Sequence, residues 1–263
     1  MLLVTACMVL PPGAAAAQAT RAAGAVAART VAIPAGAYRP LYGADTARVR
    51  VPAFRLDRRA VTRGEFLDFV RADSAWRRGR VRPVFAEAGY LAGWPGPLDA
   101  GGPADLLRPV TAVSWFAARA YCASRGERLP TTDEWEYAAQ ASETVRDASR
   151  DRAFRDRLIA LYAAPAGERT RPGRGFRNVF GVEGMHGGPW EWTEDFNSVL
   201  VSADSREAGG TSRHTDFRAV CAYAAIGASD PTDYPAFLRY AVRAALDART
   251  TIDRDGFRCA AHA

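Results

Sequence analysis

Few residues in this 263-residue chain can do chemistry beyond simple proton transfer. There are four cysteines (Cys7, Cys122, Cys221 and Cys259) and three histidines (His186, His214 and His262), and all 35 basic side chains are arginine. The missing lysine excludes a Schiff-base mechanism and a Walker-type phosphate loop, both of which depend on that amine. Two Trp-Glu units, in RLPTTDEWEYAAQ (128–140) and PWEWTEDF (189–196), set carboxylates beside indoles. Cys221 lies in HTDFRAVCAYAAIGASD (214–230). Such a thiol is either a buried small hydrophobe or a reactive, metal-binding group.

The elements that must position these residues are short. VAIPAGAYRP and VRVPAFRLD read as strands, the first apolar run ending at Pro34 and Gly36 and the second leading into Asp57. VTRGEFLDFVRA opens a helix, because Thr62 and Glu65 stand at capping-box spacing and Phe66, Phe69 and Val70 share one face. Residues 74–108 read as one long ordered loop rich in Gly, Pro, Trp and Arg. VSWFAARAYCASRG is a second helix, with Ser114 as N-cap and Gly126 just past its end. A third starts at Thr131, which forms a capping box with Glu134; Asp133 and Glu134 also favour the positive end of the helix dipole. Glu134 and Glu136 are therefore expected to serve the fold. ETVRDASRDRAFRDRLIALYAA reads as a polar helical segment. YPAFLRYAVRAALDA reads as an amphipathic helix with Pro235 in its first turn and Phe237, Leu238, Ala241, Val242, Ala245 and Leu246 on the apolar side. DGFRCAA reads as a terminal strand, and no internal repeat is present.

Length and 48% hydrophobic content predict one domain, residues 29–262. Residues 1–28 pair a short apolar run with small residues and A-x-A patterns around Ala15–Ala17, and read as an export signal or an unstructured N-terminal tail. The run has no positive n-region, and a lipid anchor at Cys7 is the less favoured alternative. Removing that leader leaves Cys122, Cys221 and Cys259, so two can pair and one is left over. No later stretch reaches the roughly 20 apolar residues of a membrane span. The formal charge of +6 comes from arginines interleaved with 29 acids, which reads as a solvated surface and not as a nucleic-acid patch.

In this order, VPAFRLDRRAVTRGEFLDFV, PVTAVSWFAARAYCASRGERLPTTDEWEYAA, PWEWTEDF and GFRCA resemble the signature segments of the formylglycine-generating enzyme (sulfatase-modifying factor) family. The resemblance spans about residues 29–260. It implies a loop-rich α+β fold related to C-type lectin-like domains, export, and action on another exported protein as substrate or client. Enzymatic members oxidise a cysteine of a C-x-P-x-R motif with oxygen and a Cu(I) ion held by two cysteines five positions apart. Cys221 falls on the first of those positions and becomes the candidate catalytic and copper-binding thiol. Ile226 occupies the second, and Arg218 stands where the family has Ser. A further copper ligand would have to come from His214, His186 or Met185.

The same resemblance implies a disulfide between Cys122 and Cys259, and a calcium ion held by the Glu191 carboxylate and the carbonyls of Gly187 and Pro189. Gly184 replaces the family's asparagine ligand. The alternative for this segment is that Glu191 bonds loop backbone while Trp190 and Trp192 fill core space. Iron-dependent sulfoxide synthases of the superfamily need a three-histidine site in an extra helical domain that this chain lacks. Two functional classes remain: an exported oxidoreductase of the formylglycine-generating type, and a non-catalytic maturation or binding module. The latter includes accessories to copper nitrite reductases, which the FGVEGMHGGPWEWTEDFNS segment resembles.

Overall fold

A computed structural model describes residues 29–42, 48–197, 230 and 232–263. The chain is a loop-rich α+β domain. β1 (Thr30–Ile33), β4 (Phe54–Asp57) and β7 (Ala260–His262) form an antiparallel sheet in the order β1-β4-β7. β2 (Gly36–Tyr38) pairs with β3 (Val49–Val51), and β5 (Trp190–Glu191) pairs in parallel with β6 (Asp255–Gly256). Both predicted N-terminal strands are thus divided in two, at Pro34 and at Pro52. The pyrrolidine ring removes a ladder donor, and each strand changes sheet at that point.

The capping signals place the helices well. In α1 (Arg63–Ala72), Thr62 and Glu65 exchange both capping-box bonds, and Phe66, Leu67, Phe69 and Val70 are buried. Ser114 caps α2 (Trp115–Ser124), and Gly126 follows it with φ of 71°. Thr131 and Glu134 form the capping box of α3 (Thr132–Ala139). Two readings need correction. The helix expected from residue 143 begins only at Arg152, giving α4 (Arg152–Tyr162), because the Asp151 side chain accepts the amides of Ala153 and Phe154 and so caps it there. The long loop of 74–108 holds a 3-10 turn at Ser74–Trp76 and one helical turn at Pro103–Leu106.

The last helix, α5 (Tyr234–Ala244), departs most from its sequence pattern. It buries Pro235, Ala236, Arg239, Tyr240 and Arg243, while Phe237, Leu238, Ala241 and Val242 are only half-buried and Ala245 is exposed. A buried carboxylate on α3 causes the rotation: Glu136 draws in two guanidinium groups one turn apart. Two main cores flank this junction. One gathers α1 and α2 with Trp192 and Phe257; the other sets β1–β4 against Trp135, Tyr137 and Val182.

Cys122 of α2 and Cys259, just before β7, are joined by a disulfide with a Cα–Cα distance of 5.6 Å. Both cysteines are fully buried. The bond ties α2 to the end of the chain across 137 residues. Among the described residues, no helix is long and apolar enough to cross a membrane.

Candidate functional site

The two Trp-Glu units interlock. The indole Nε1 of Trp135, on α3, donates to Glu191 Oε2 at 2.7 Å. Asp195 accepts from the Thr132 amide at 2.7 Å, which fixes the start of α3 against the PWEWTEDF segment. Trp192 Nε1 donates to the Val113 carbonyl at 2.8 Å, anchoring the other side of that segment. The contact between the two units is a product of the tertiary fold and has no signature in spacing.

Glu191 is the centre of a buried ion pair. Arg258 donates from Nε to Oε2 at 2.7 Å and from Nη2 to Oε1 at 2.8 Å, and both side chains have zero exposure. The remaining Arg258 donors reach the carbonyls of Asp57 and Glu183. Both Glu191 oxygens are therefore engaged and its charge is balanced by a guanidinium. Calcium needs six to eight oxygens and a net negative cage. Here Gly184 offers no side-chain oxygen, and the only carboxylate of the expected set is shared with a cation. The calcium donor set of Glu191, Gly187 and Pro189 does not fit the ion in this arrangement. Sequence reasoning used the arginine of GFRC as a family marker and missed its role as the partner of Glu191.

A second buried network joins α3, α4 and α5. Glu136 accepts from Arg239 Nε at 3.0 Å and Nη2 at 2.7 Å, and from Arg243 Nη1 at 2.6 Å. Burial opposes the Glu136 charge, but Arg239 and Arg243 outweigh it and hold the carboxyl down at about 2. Arg243 also lies 4.6 Å over the Trp135 ring, a cation–π contact that removes it further from water. Arg239 Nη1 donates to Tyr162 Oη, which sits 2.7 Å from His186 Nδ1; His186 Nε2 lies 2.7 Å from the Ala139 carbonyl. A carbonyl can only accept, so His186 carries its proton on Nε2 and accepts a hydrogen bond from the tyrosine hydroxyl at Nδ1. Burial, reinforced by Arg239, lowers the His186 pKa to about 3, so the ring is neutral.

This wiring decides the auxiliary copper ligands. Both His186 nitrogens are used, and Met185 is buried in the core around Ile33 and Trp135. Neither is a free donor. Cys221, His214, Arg218 and Ile226 lie outside the described residues. Among the described residues, one group could bring a metal-ligand set together: Asp57, Glu127 and Cys259, with ligand atoms within 4.8 Å of one another. It does not fit a metal. The Cys259 sulfur is in the disulfide, and Arg29 and Arg125 pair with both carboxylates. Burial nevertheless pushes the Asp57 and Glu127 carboxyls up.

Among the described residues, two larger concave surfaces stand out. A cavity of about 540 Å³ opens between β2, α3, α4 and the start of α5, lined by Tyr38, Phe154, Arg155, Asp233, Arg239 and Tyr240 among others. Tyr38 donates to Asp133, and Arg155 bonds both Asp230 and Thr232, so its rim is fixed by polar contacts. A shallower groove of about 240 Å³ runs between residues 59–62 and the loop of 169–188.

The sequence matches the sulfatase-modifying factor enzyme 1-like domain over residues 12–263. It is 30% identical over 222 residues to the formylglycine-generating enzyme of Thermomonospora curvata, covering 66% of this chain and 73% of that protein. It is 35% identical over 108 residues to the inactive C-alpha-formylglycine-generating enzyme 2 of Bos taurus, covering 35% of this chain and 36% of that protein. It is 34% identical over 164 residues to the hercynine oxygenase of Mycobacterium tuberculosis, covering 55% and 38% respectively. The chain thus spans little more than a third of the length of the last two.

Proposed function

The chain belongs to the sulfatase-modifying factor enzyme 1-like family, and from that premise we propose that it is an exported client-binding or maturation protein that does not build the two-thiolate copper centre. The observation that carries this reading is Ile226, which occupies the position matching the family's second cysteine. One thiolate cannot form the linear or trigonal sulfur site that Cu(I) favours. His186 and Met185 do not compensate, since both are consumed by the fold. The cavity of about 540 Å³ provides the concave surface for part of a client polypeptide, and the Glu136–Arg239–Arg243 network holds its α5 wall rigid. Residues 1–28 act as the export segment, and the Cys122–Cys259 disulfide suits an oxidising compartment. Similarity over 108 residues to a relative named as inactive supports the same reading.

A second reading is favoured by Cys221 itself, which stands on the first active-site position and is not needed for the Cys122–Cys259 bond. In that case Cys221 acts as a metal ligand or redox thiol on a client cysteine. Incubation of the full chain with Cu(I), oxygen and a C-x-P-x-R peptide separates the two. Unchanged peptide mass supports the binding protein; formylglycine that disappears in Cys221→Ala establishes the oxidoreductase.

A further inference from the structure

The groove between residues 59–62 and 169–188 has an unusual charge balance. Glu183 is the one carboxylate among the described residues that line it, against five arginines. Two of these are already neutralised, Arg59 by Glu65 and Arg174 by Glu168. Arg169, Arg171 and Arg177 make no ion pair with any described residue.

Arg169 is the telling member. It is only 5% exposed, yet the one hydrogen bond its side chain makes among the described residues is from Nε to the Gly188 carbonyl at 3.0 Å. Its guanidinium carbon lies 4.3 Å over the Trp190 ring. Asp255 shares a small neighbouring cavity with it but forms no ion pair. The two Nη groups of Arg169 hold no ion pair with a described residue and are not among the buried atoms lacking a partner, so the fork stays accessible and an oxyanion can enter it. Burial lowers its pKa, with Arg254 adding to the fall, and Tyr162 and Asp255 offset this only in part. The floor of the groove is fixed by glycine: Gly175 has φ of 92°, and a Cβ there would meet the His186 carbonyl at 2.3 Å. The loop is thereby pressed onto the core, leaving the channel open.

We propose that this groove receives an acidic segment of the client polypeptide, with one carboxylate seated on Arg169 and flanking acids on Arg171 and Arg177. The inference rests on the client-binding reading above and specifies the charge of the segment. A single-stranded nucleic acid is the poorer fit, because it relies on stacking platforms as well as charge. The groove offers none free among the described residues: Trp190 is covered by Arg169, and Phe176 stacks on His186 and lies 4.4 Å from the Arg157 guanidinium carbon. Glu183 adds direction, since it repels acids at its end of the channel.

Fluorescence anisotropy of the full chain with a labelled peptide of alternating Glu and Gly tests this. The Glu peptide binds, its Gln analogue does not, and affinity falls as salt screens the contacts. Arg171→Glu combined with Arg177→Glu, both exposed positions, weakens binding by roughly tenfold or more while circular dichroism stays unchanged. Arg169→Gln weakens it comparably. Equal binding of the Gln analogue, indifference to the double charge reversal, or tighter binding of a single-stranded oligonucleotide through the same arginines overturns the proposal. So does complete displacement of the peptide by stoichiometric sulfate, which would mark a simple inorganic-anion site. The copper assay reads chemistry on a cysteine peptide. A failure here therefore leaves the client-binding reading standing, and formylglycine there would leave the groove standing.

Discussion

Replacing Glu136 by Gln removes the charge that balances Arg239 and Arg243 while keeping the shape of the side chain. Glu136 is 4% exposed, and both guanidinium groups have side-chain exposures under a tenth. Two routes give the cost. Breaking one partner of a buried ion pair leaves uncompensated charge and costs about 3–5 kcal/mol. The Glu136 carboxyl, held at about 2 instead of 4.5, corresponds to about 3 kcal/mol of native-state stabilisation at neutral pH. Urea unfolding of Glu136→Gln at pH 7 should therefore lose about 3–5 kcal/mol, or roughly 2–4 °C of Tm per kcal/mol for a domain of this size. Hydrogen exchange should accelerate first in α5, whose buried face is held by these two arginines. The triple change of Glu136, Arg239 and Arg243 to Leu, Met and Met should recover most of the loss, because a fully apolar replacement leaves no stranded charge. A loss under about 1 kcal/mol in Glu136→Gln, or no recovery in the triple variant, would refute the argument that this triad holds α5 in place.

Acidification should destabilise the fold in two overlapping windows. His186 is neutral when folded, its pKa lowered to about 3, so stability is complete above pH 6.5 and declines as pH falls toward 3; His186→Gln should flatten that part of a Tm-against-pH curve. Glu136 adds a loss between about pH 4.5 and 2. Asp255 acts in the opposite sense: buried with both oxygens lacking a donor and its carboxyl pushed up to about 7, it costs stability as pH rises from 3.8 through 7. Asp255→Asn should therefore stabilise the protein by about 1–3 kcal/mol at pH 8 and have little effect at pH 4. Cys122 and Cys259 should resist alkylation until reduced under denaturing conditions. Closing a loop of 137 residues predicts a loss of about 5 kcal/mol on reduction in the chain-entropy treatment. Because Glu191 is already paired with Arg258, neither calcium nor a chelator should shift Tm; a rise of several degrees with calcium would contradict that pairing.

Local signals were legible in the sequence because each is carried by neighbours a few residues apart. The capping boxes at Thr62 and Thr131, the Ser114 cap and the glycine after α2 all stand where spacing placed them. Resemblance in four ordered segments supplied the disulfide partners, which local spacing could not. What stayed hidden depends on contacts between residues well separated in sequence, from 19 positions for Arg169 and Gly188 to 107 for Arg243 and Glu136. The i,i+4 pair Arg239 and Arg243 lies off the apolar stripe of α5, and only the presence of Glu136 explains why that side faces inward. Glu191 looked like a metal ligand because its partner, Arg258, lies 67 positions away. His186 looked available for copper until Tyr162 and Ala139 were seen to occupy both its nitrogens. Arg169 sits in a run of arginines and glycines that reads as solvated loop, and it is buried against the Gly188 carbonyl and the Tyr162 and Trp190 rings.

The claim that Ile226 removes the copper centre is tested most directly by mass spectrometry. The full chain, loaded with Cu(I) and exposed to oxygen, is incubated with a C-x-P-x-R peptide, beside a Cys221→Ala control. The peptide should stay unmodified in both samples. Conversion of the peptide thiol to an aldehyde by the native chain and not by Cys221→Ala would contradict it.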